Sequence, residues 1–213
     1  MYDPHPSVAL NRAFAARPFQ GAEPERATYL FVGLDANYSP LIEQNAVFGR
    51  VLDYLDDGVA FWKLHGVHHP FLLPEYRGDG RKYHKTFSAI GFRPEHADQV
   101  SFIEMMHVPT VGRSNLTIDD LDKDHLARLR DAIEHGDARH IFVPEGVARL
   151  MRESSMFHWM PKVPNDTGGA LKIWWKTGSK TIYWHYHFSV YGKFEQKKTA
   201  QLKAIGQLLN SSA

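Results

Sequence analysis

Four short apolar runs, spaced by helical patterns, limit what this chain can fold into more than any other feature. They are residues 28–35 (TYLFVGLD), 99–107 (QVSFIEMMH), 139–144 (RHIFVP) and 181–188 (TIYWHYHF). All are rich in β-branched or aromatic side chains, which suit a strand. The first and third are nearly continuous, as in strands buried on both faces of a parallel sheet. Between and after them lie helical patterns. Residues 40–55 carry Leu41, Ile42, Val47, Val51, Leu52 and Leu55, and residues 81–90 carry Tyr83, Phe87 and Ile90. Residues 117–134 repeat Leu121, Leu126, Leu129 and Ile133, and residues 145–156 and 193–209 follow. Thr117 with Asp120 offers a capping box, and Gly136 a stop. Such alternation implies βαβ crossovers. The expected fold is α/β: a three-layer α/β/α sandwich around a central four-stranded, mainly parallel sheet, in a single domain over residues 1–213.

Composition narrows the chemistry. With 213 residues, 43% hydrophobic and 23% charged, the chain can bury a core, which argues against wholesale disorder. No apolar run approaches the ~18 residues of a membrane span. The start, MYDPHPSVALNRAFAARPFQ, lacks the apolar stretch of a secretory leader. A soluble, cytoplasmic protein is expected, with no membrane partner and no obligate protein partner. The absence of cysteine excludes disulfides, zinc–thiolate sites and cysteine nucleophiles. A metal would need the 13 histidines and the carboxylates. The net charge of +1 hides an asymmetry. Residues 160–213 hold eight Lys against two acids, a net +6, while the remainder holds 17 basic and 22 acidic residues, a net −5. A basic end steers polyanions such as nucleic acid, and it equally describes a solvated lysine-rich helix.

In open α/β sheets ligands bind beyond the carboxyl ends of the strands. That rule selects residues 33–40, 104–115, 144–146 and 185–192. Two long connections remain, 56–80, dense in aromatics and His, and 157–180, rich in Trp, Lys and Gly.

Two of the selected turns, GLDANY (33–38) and HFSVYG (187–192), lie in the same order as the two signatures of the uracil-DNA glycosylase superfamily, which this chain resembles. Between them, MMHVPTVGRSNLT (105–117) and RKYHKTFSAIGF (81–92) are similar to segments of its mismatch-specific branch. The resemblance covers roughly residues 28–198. It implies a DNA glycosylase: a hydrolase of base-excision repair that cleaves the N-glycosidic bond of a flipped, deaminated base, such as uracil, using water and no metal or cofactor. DNA with a damaged or mismatched base is the implied partner. Asp35 would then orient the water and His187 would bond the departing base. Ser189 would touch a phosphate and Tyr191 would stand at the wedge position. Glu104 stands where the family reads the base edge with Asn, Asn37 is a second candidate water-holder, and Tyr38 is displaced by one from the thymine-excluding tyrosine. Ala36 and Phe188 replace the prolines of the two family turns.

The residues also carry readings of their own. Cleaving the bond builds positive charge on the sugar and negative charge on the base, so an acid and an imidazole must face one cleft. Asp35 equally suits a turn cap. An ionised Glu104 only accepts hydrogen bonds, which favours the amino group of cytosine or adenine over the O4 of uracil. Phe71, after a proline turn, offers a flat face for an extruded base or a place in the core. Arg113, Lys193 and Lys197 are candidate phosphate contacts, together with the backbone N–H groups of a helix starting near Lys193. Two rivals remain open: a nucleic-acid-binding protein without catalysis on the same scaffold, and a metal hydrolase using His65, His68, His69, His185 or His187.

Overall fold

The computed structural model describes residues 5–112 and 116–211. The four expected runs are parallel neighbours: β2 (Tyr29–Gly33), β3 (Val100–Glu104), β4 (His140–Pro144) and β6 (Lys180–His185), in the order β3-β2-β4-β6. The sheet nevertheless has six strands, not four. β1 (Phe19–Gly21) and β5 (Lys172–Thr177) pair antiparallel on its two edges, so the sheet is mixed. β1 has three residues, too few for a recognisable period. β5, KIWWKT, lay inside the Trp- and Lys-rich connection. It pairs with β6 through a two-residue turn whose first position, Gly178, has φ +50°, a conformation glycine takes without cost.

Strand alternation divides the core into two layers. Leu30, Val32, Ile103, Ile141, Val143 and Ile182 face α5 (Lys123–His135) and α6 (Glu145–Glu153). Tyr29, Phe31, Phe102 and Phe142 face α3 (Gly58–His65), α4 (Arg81–Ser88) and α7 (Glu195–Ser211) through Trp62, Phe87, Leu202 and Ile205. Helices therefore cover both faces. A satellite core joins α1 (Val8–Ala16) and α2 (Phe48–Asp56) to Tyr38, Phe71 and Tyr76.

Local side-chain bonds cut two expected helices short. The Oδ1 of Asn45 accepts from the Val47 N–H at 3.2 Å, which separates a 3₁₀ turn (Ile42–Gln44) from α2. The Thr117–Asp120 box forms, but it closes a single 3₁₀ turn (Ile118–Asp120). Asp122 then caps α5 by accepting from His125 N–H at 2.8 Å. Sequence reading also passed over α1, capped by Ser7, and α3, capped by Asp57. Among the described residues no helix is long and apolar enough to cross a membrane.

Candidate functional site

β2 lies between β3 and β4. The chain leaves β2 toward the α3–α4 layer, whereas β4 runs directly into α6 on the opposite layer. The two exits diverge, the arrangement at which open α/β sheets bind ligands beyond the carboxyl ends of their strands. Beyond β2 the backbone keeps pairing with the segment after β3. Thr110 N–H donates to Ala36 O at 2.9 Å, and Tyr38 N–H donates to Thr110 O at 3.0 Å. Asp35 is held in this extension, and the Thr110 hydroxyl donates to its carboxylate. Thr110 is fully buried, so the Asp35 carboxylate is fixed from below. Asn37 lies outward and its Oδ1 accepts from Gly112 N–H at 3.1 Å, which ties the two loops together.

Glu104 ends β3 directly across from Gly33. Its carboxyl fills the space a side chain at Gly33 would need: a Cβ there would sit 1.8 Å from Glu104 Oε2. Burial, and then the charge of Asp35, push the Glu104 carboxyl up to about 8. The acid is therefore largely protonated at neutral pH. This corrects the expectation of an acceptor-only carboxylate, because a neutral carboxyl offers one O–H donor beside its acceptor oxygen. Three tyrosines, Tyr38, Tyr54 and Tyr83, lie within electrostatic reach of Glu104. Burial raises their phenols first, and Glu104 raises them further, so all three are neutral donors.

His187 follows β6 and is exposed. Its Nδ1 lies 2.6 Å from Ser189 Oγ and accepts from Ser189 N–H at 3.4 Å. An Nδ1 that accepts both groups places the neutral imidazole's proton on Nε2. The Tyr83 ring stands 5.2 Å from the His187 ring and 5.3 Å from that of Phe188. Tyr83, which feels Glu104 and touches His187, thus links the ends of β3 and β6. The loop is braced by Lys198, only 2% exposed, whose Nζ donates to Val190 O at 2.7 Å and to Glu195 Oε2 at 3.1 Å. Gln201 accepts from Tyr186 N–H at 2.8 Å. His185 is buried, and its Nδ1 donates to Tyr186 O at 2.8 Å.

The remaining candidates separate. Phe71 is 3% exposed and stacked on Tyr76 at 4.1 Å, so this ring belongs to the satellite core and does not stand open to a base. Tyr38 is buried beside it, 5.8 Å away. Tyr191 is 73% exposed, with Lys82 Nζ 4.9 Å from its ring centroid. Lys193 and Lys197 are exposed nearby in sequence, and Arg113 lies outside the described residues. Helix α7 begins at Glu195, after a 3₁₀ turn at Gly192–Phe194. His69 stacks on His84 at 3.6 Å and His68 Nε2 lies 3.2 Å from His84 Nδ1. Among the described residues no group of three or more His, Asp or Glu side chains is placed to hold a metal ion. Two hollows lie elsewhere and involve none of Asp35, Glu104 and His187. One of about 620 Å³ runs along α1, and one of about 540 Å³ sits at the amino ends of the strands, by Arg26 and Arg139.

Sequence reasoning passed over Tyr83, Thr110 and Lys82 as site residues. The periodic triple Tyr83, Phe87, Ile90 placed Tyr83 on the inward face of α4, but not against His187. Compared with protein-family models and with curated proteins, the chain matches none.

Proposed function

We propose that this chain is a DNA glycosylase-like hydrolase that cleaves the N-glycosidic bond of a flipped, deaminated base. One observation carries the reading. A carboxyl group, Asp35, and an imidazole, His187, stand beyond the carboxyl ends of β2 and β6 with β4 between those strands, Glu104 ends β3 on the other side of β2, and Tyr83 touches His187 and feels the charge of Glu104. Asp35, held by Thr110, orients water below the sugar and stabilises the cation that grows there. His187 presents its Nε2 proton to the oxygen of the departing base. Glu104 lies at the base edge as a neutral carboxyl. Tyr191, paired with Lys82, and the exposed Lys193 and Lys197 hold the strand, a grip that flipping needs because unstacking costs a few kcal/mol. A cytoplasmic location belongs to the same proposal.

The test is incubation with duplexes carrying uracil, hypoxanthine, xanthine or mismatched bases, scored for abasic sites. One of them is expected to react, and Asp35→Ala to slow its single-turnover rate by ~10²–10⁴. An unchanged rate removes Asp35 from the mechanism. A second reading, nucleic-acid binding without catalysis, is favoured by the exposed Tyr191–Lys82 pair, which serves binding regardless of chemistry. Salt-sensitive DNA binding with no abasic product on any duplex selects it.

A further inference from the structure

A row of aromatic rings runs off the carboxyl end of β6. Trp184 packs against the α5–α6 core and stays part-exposed. Its ring meets that of Tyr186 at 4.6 Å, and Tyr186 meets Phe194 at 5.2 Å with the ring planes 31° apart. Tyr186 and Phe194 are also part-exposed, and Tyr191 between them in the chain is exposed. Three of these rings carry a lysine ammonium over one face. Lys172 Nζ lies 5.9 Å from the Trp184 centroid, Lys193 Nζ 5.1 Å from that of Phe194, and Lys82 Nζ 4.9 Å from that of Tyr191. Among the described residues every lysine–ring pair lies here, and the other cation–ring pairs are arginines over Phe19 and Trp174. Such a pair is weak where it is exposed, so a flat ring that stacks better displaces the lysine. The backbone that presents the row is held before any ligand arrives, at Tyr186 by Gln201 and at Val190 by Lys198. The charge around it is one-sided. Residues 160–213 carry a net +6, and both of their acids are engaged, Asp166 by Lys172 at 3.2 Å and Glu195 by Lys198 at 3.1 Å. Lys82, Lys193 and Lys197 are exposed and make no ion pair among the described residues.

We propose that Trp184, Tyr186 and Phe194 form a stacking platform for single-stranded DNA, with Lys82, Lys193 and Lys197 neutralising its phosphates. The platform rests on the nucleic-acid reading above and adds which form of DNA docks and where. Rings and lysines together select this partner. The bases of a duplex are stacked on one another and show only their edges, whereas a single strand offers free base faces to aromatic rings. An acidic peptide satisfies the lysines but brings no flat partner for the rings. Every base has a π-face, so the platform reads no sequence. Tyr186 directly precedes His187, so a strand lying on the row leads to the site at the end of β6. Extruding a base from a strand that is already unpaired costs least, which suits a platform of this kind beside the base site.

The experiment measures the fluorescence anisotropy of a labelled oligothymidylate of ~12 nucleotides, which carries no deaminated base. Its competitors are a duplex of the same length and polyglutamate, a polyanion without bases. The single strand is expected to bind more tightly than either and to quench tryptophan fluorescence, with part of the quenching lost in Trp184→Phe. Phe194→Leu keeps an apolar side chain but has no flat face. It should weaken binding by about 5- to 150-fold, and Phe194→Tyr should bind as wild type does. Lys193→Gln should lower the salt slope by about 0.7. Urea midpoints of the variants separate a lost platform from a lost fold. Polyglutamate binding as tightly as the single strand overturns the platform and leaves a charged surface for an acidic protein. Tighter binding of the duplex, or Phe194→Leu at full affinity, also overturns it. Abasic product in the panel above without single-strand binding keeps the glycosylase reading and overturns the platform. Single-strand binding with no abasic product upholds the platform and overturns the chemistry, so the two failures are told apart.

Discussion

At the scale of single residues, Gly33 and Glu104 decide what the strand ends present. Gly33 has no positive φ to explain it; its side chain is missing because Glu104 occupies that volume. Gly33→Ala is therefore expected to swing the Glu104 carboxyl outward, since the obstructing atom is the end of a flexible chain. Stability against pH measures the effect. The folded Glu104 keeps its proton up to about pH 8, whereas the unfolded chain releases it near its ordinary value of 4.5. Between those values the native state holds the extra proton, so this group's contribution is fully present below 4.5 and is lost as pH rises toward 8. The slope is at most about 1.4 kcal/mol per pH unit. Urea midpoints from pH 5 to 9 should show the difference between wild type and Glu104→Gln shrinking in the Gly33→Ala background. Parallel curves in the two backgrounds would show that the carboxyl had not moved. Sequence reading recognised Gly33 and Asp35 as one turn and Glu104 as the end of another strand. It misjudged the charge of Glu104 because charge follows from the β2–β3 register, which lies beyond local pattern.

At the scale of elements, the clearest lesson is α7. Its lysines suit phosphate contacts or a solvated face equally, and Lys197 is exposed. Lys198 instead shares a face with Gln201, Leu202 and Ile205, all buried, at helical spacing. That stripe was legible, and it placed Lys198 inside, but a lysine-rich run drew attention to charge rather than to periodicity. Lys198→Met keeps the buried stem and leaves the Val190 carbonyl without its donor. The expected cost is about 1–3 kcal/mol, read as a fall in the urea midpoint at pH 7. The loop that carries His187 and Ser189 should also exchange its amide hydrogens faster. A stability loss with unchanged exchange at 187–192 would mean that Lys198 holds the helix and not the loop. The missed β5 had a comparable local signal: Gly178-Ser179 between two aromatic, β-branched runs is a hairpin turn.

At the scale of the whole molecule, the four inner strands and their burial were legible because each is a dense apolar run. Their order was not, since nothing local says that β2 lies between β3 and β4. The histidines were equally opaque. Thirteen of them allow metal binding or catalysis without demanding either, whereas the fold puts His68, His69 and His185 in its core and His84 against His68 and His69. Burial lowers all four, His84 and His185 to about 3, with neighbouring imidazoles adding to the effect at His68 and His69. The unfolded chain protonates these rings below about pH 6.5, and the native state does not. Below 6.5 the unfolded state therefore binds more protons, so stability is lost as pH falls from 6.5 toward 3. Each ring contributes at most about 1.4 kcal/mol per pH unit, and the four act in the same direction. Urea midpoints are expected to drop sharply from pH 6.5 to 5. His84→Phe, which fills the stacking position on His69 without a titrating group, should reduce the slope by close to one proton. A midpoint flat across this range would mean that the imidazoles are charged within the fold, and that the cluster is held by partners other than the ring contacts described above.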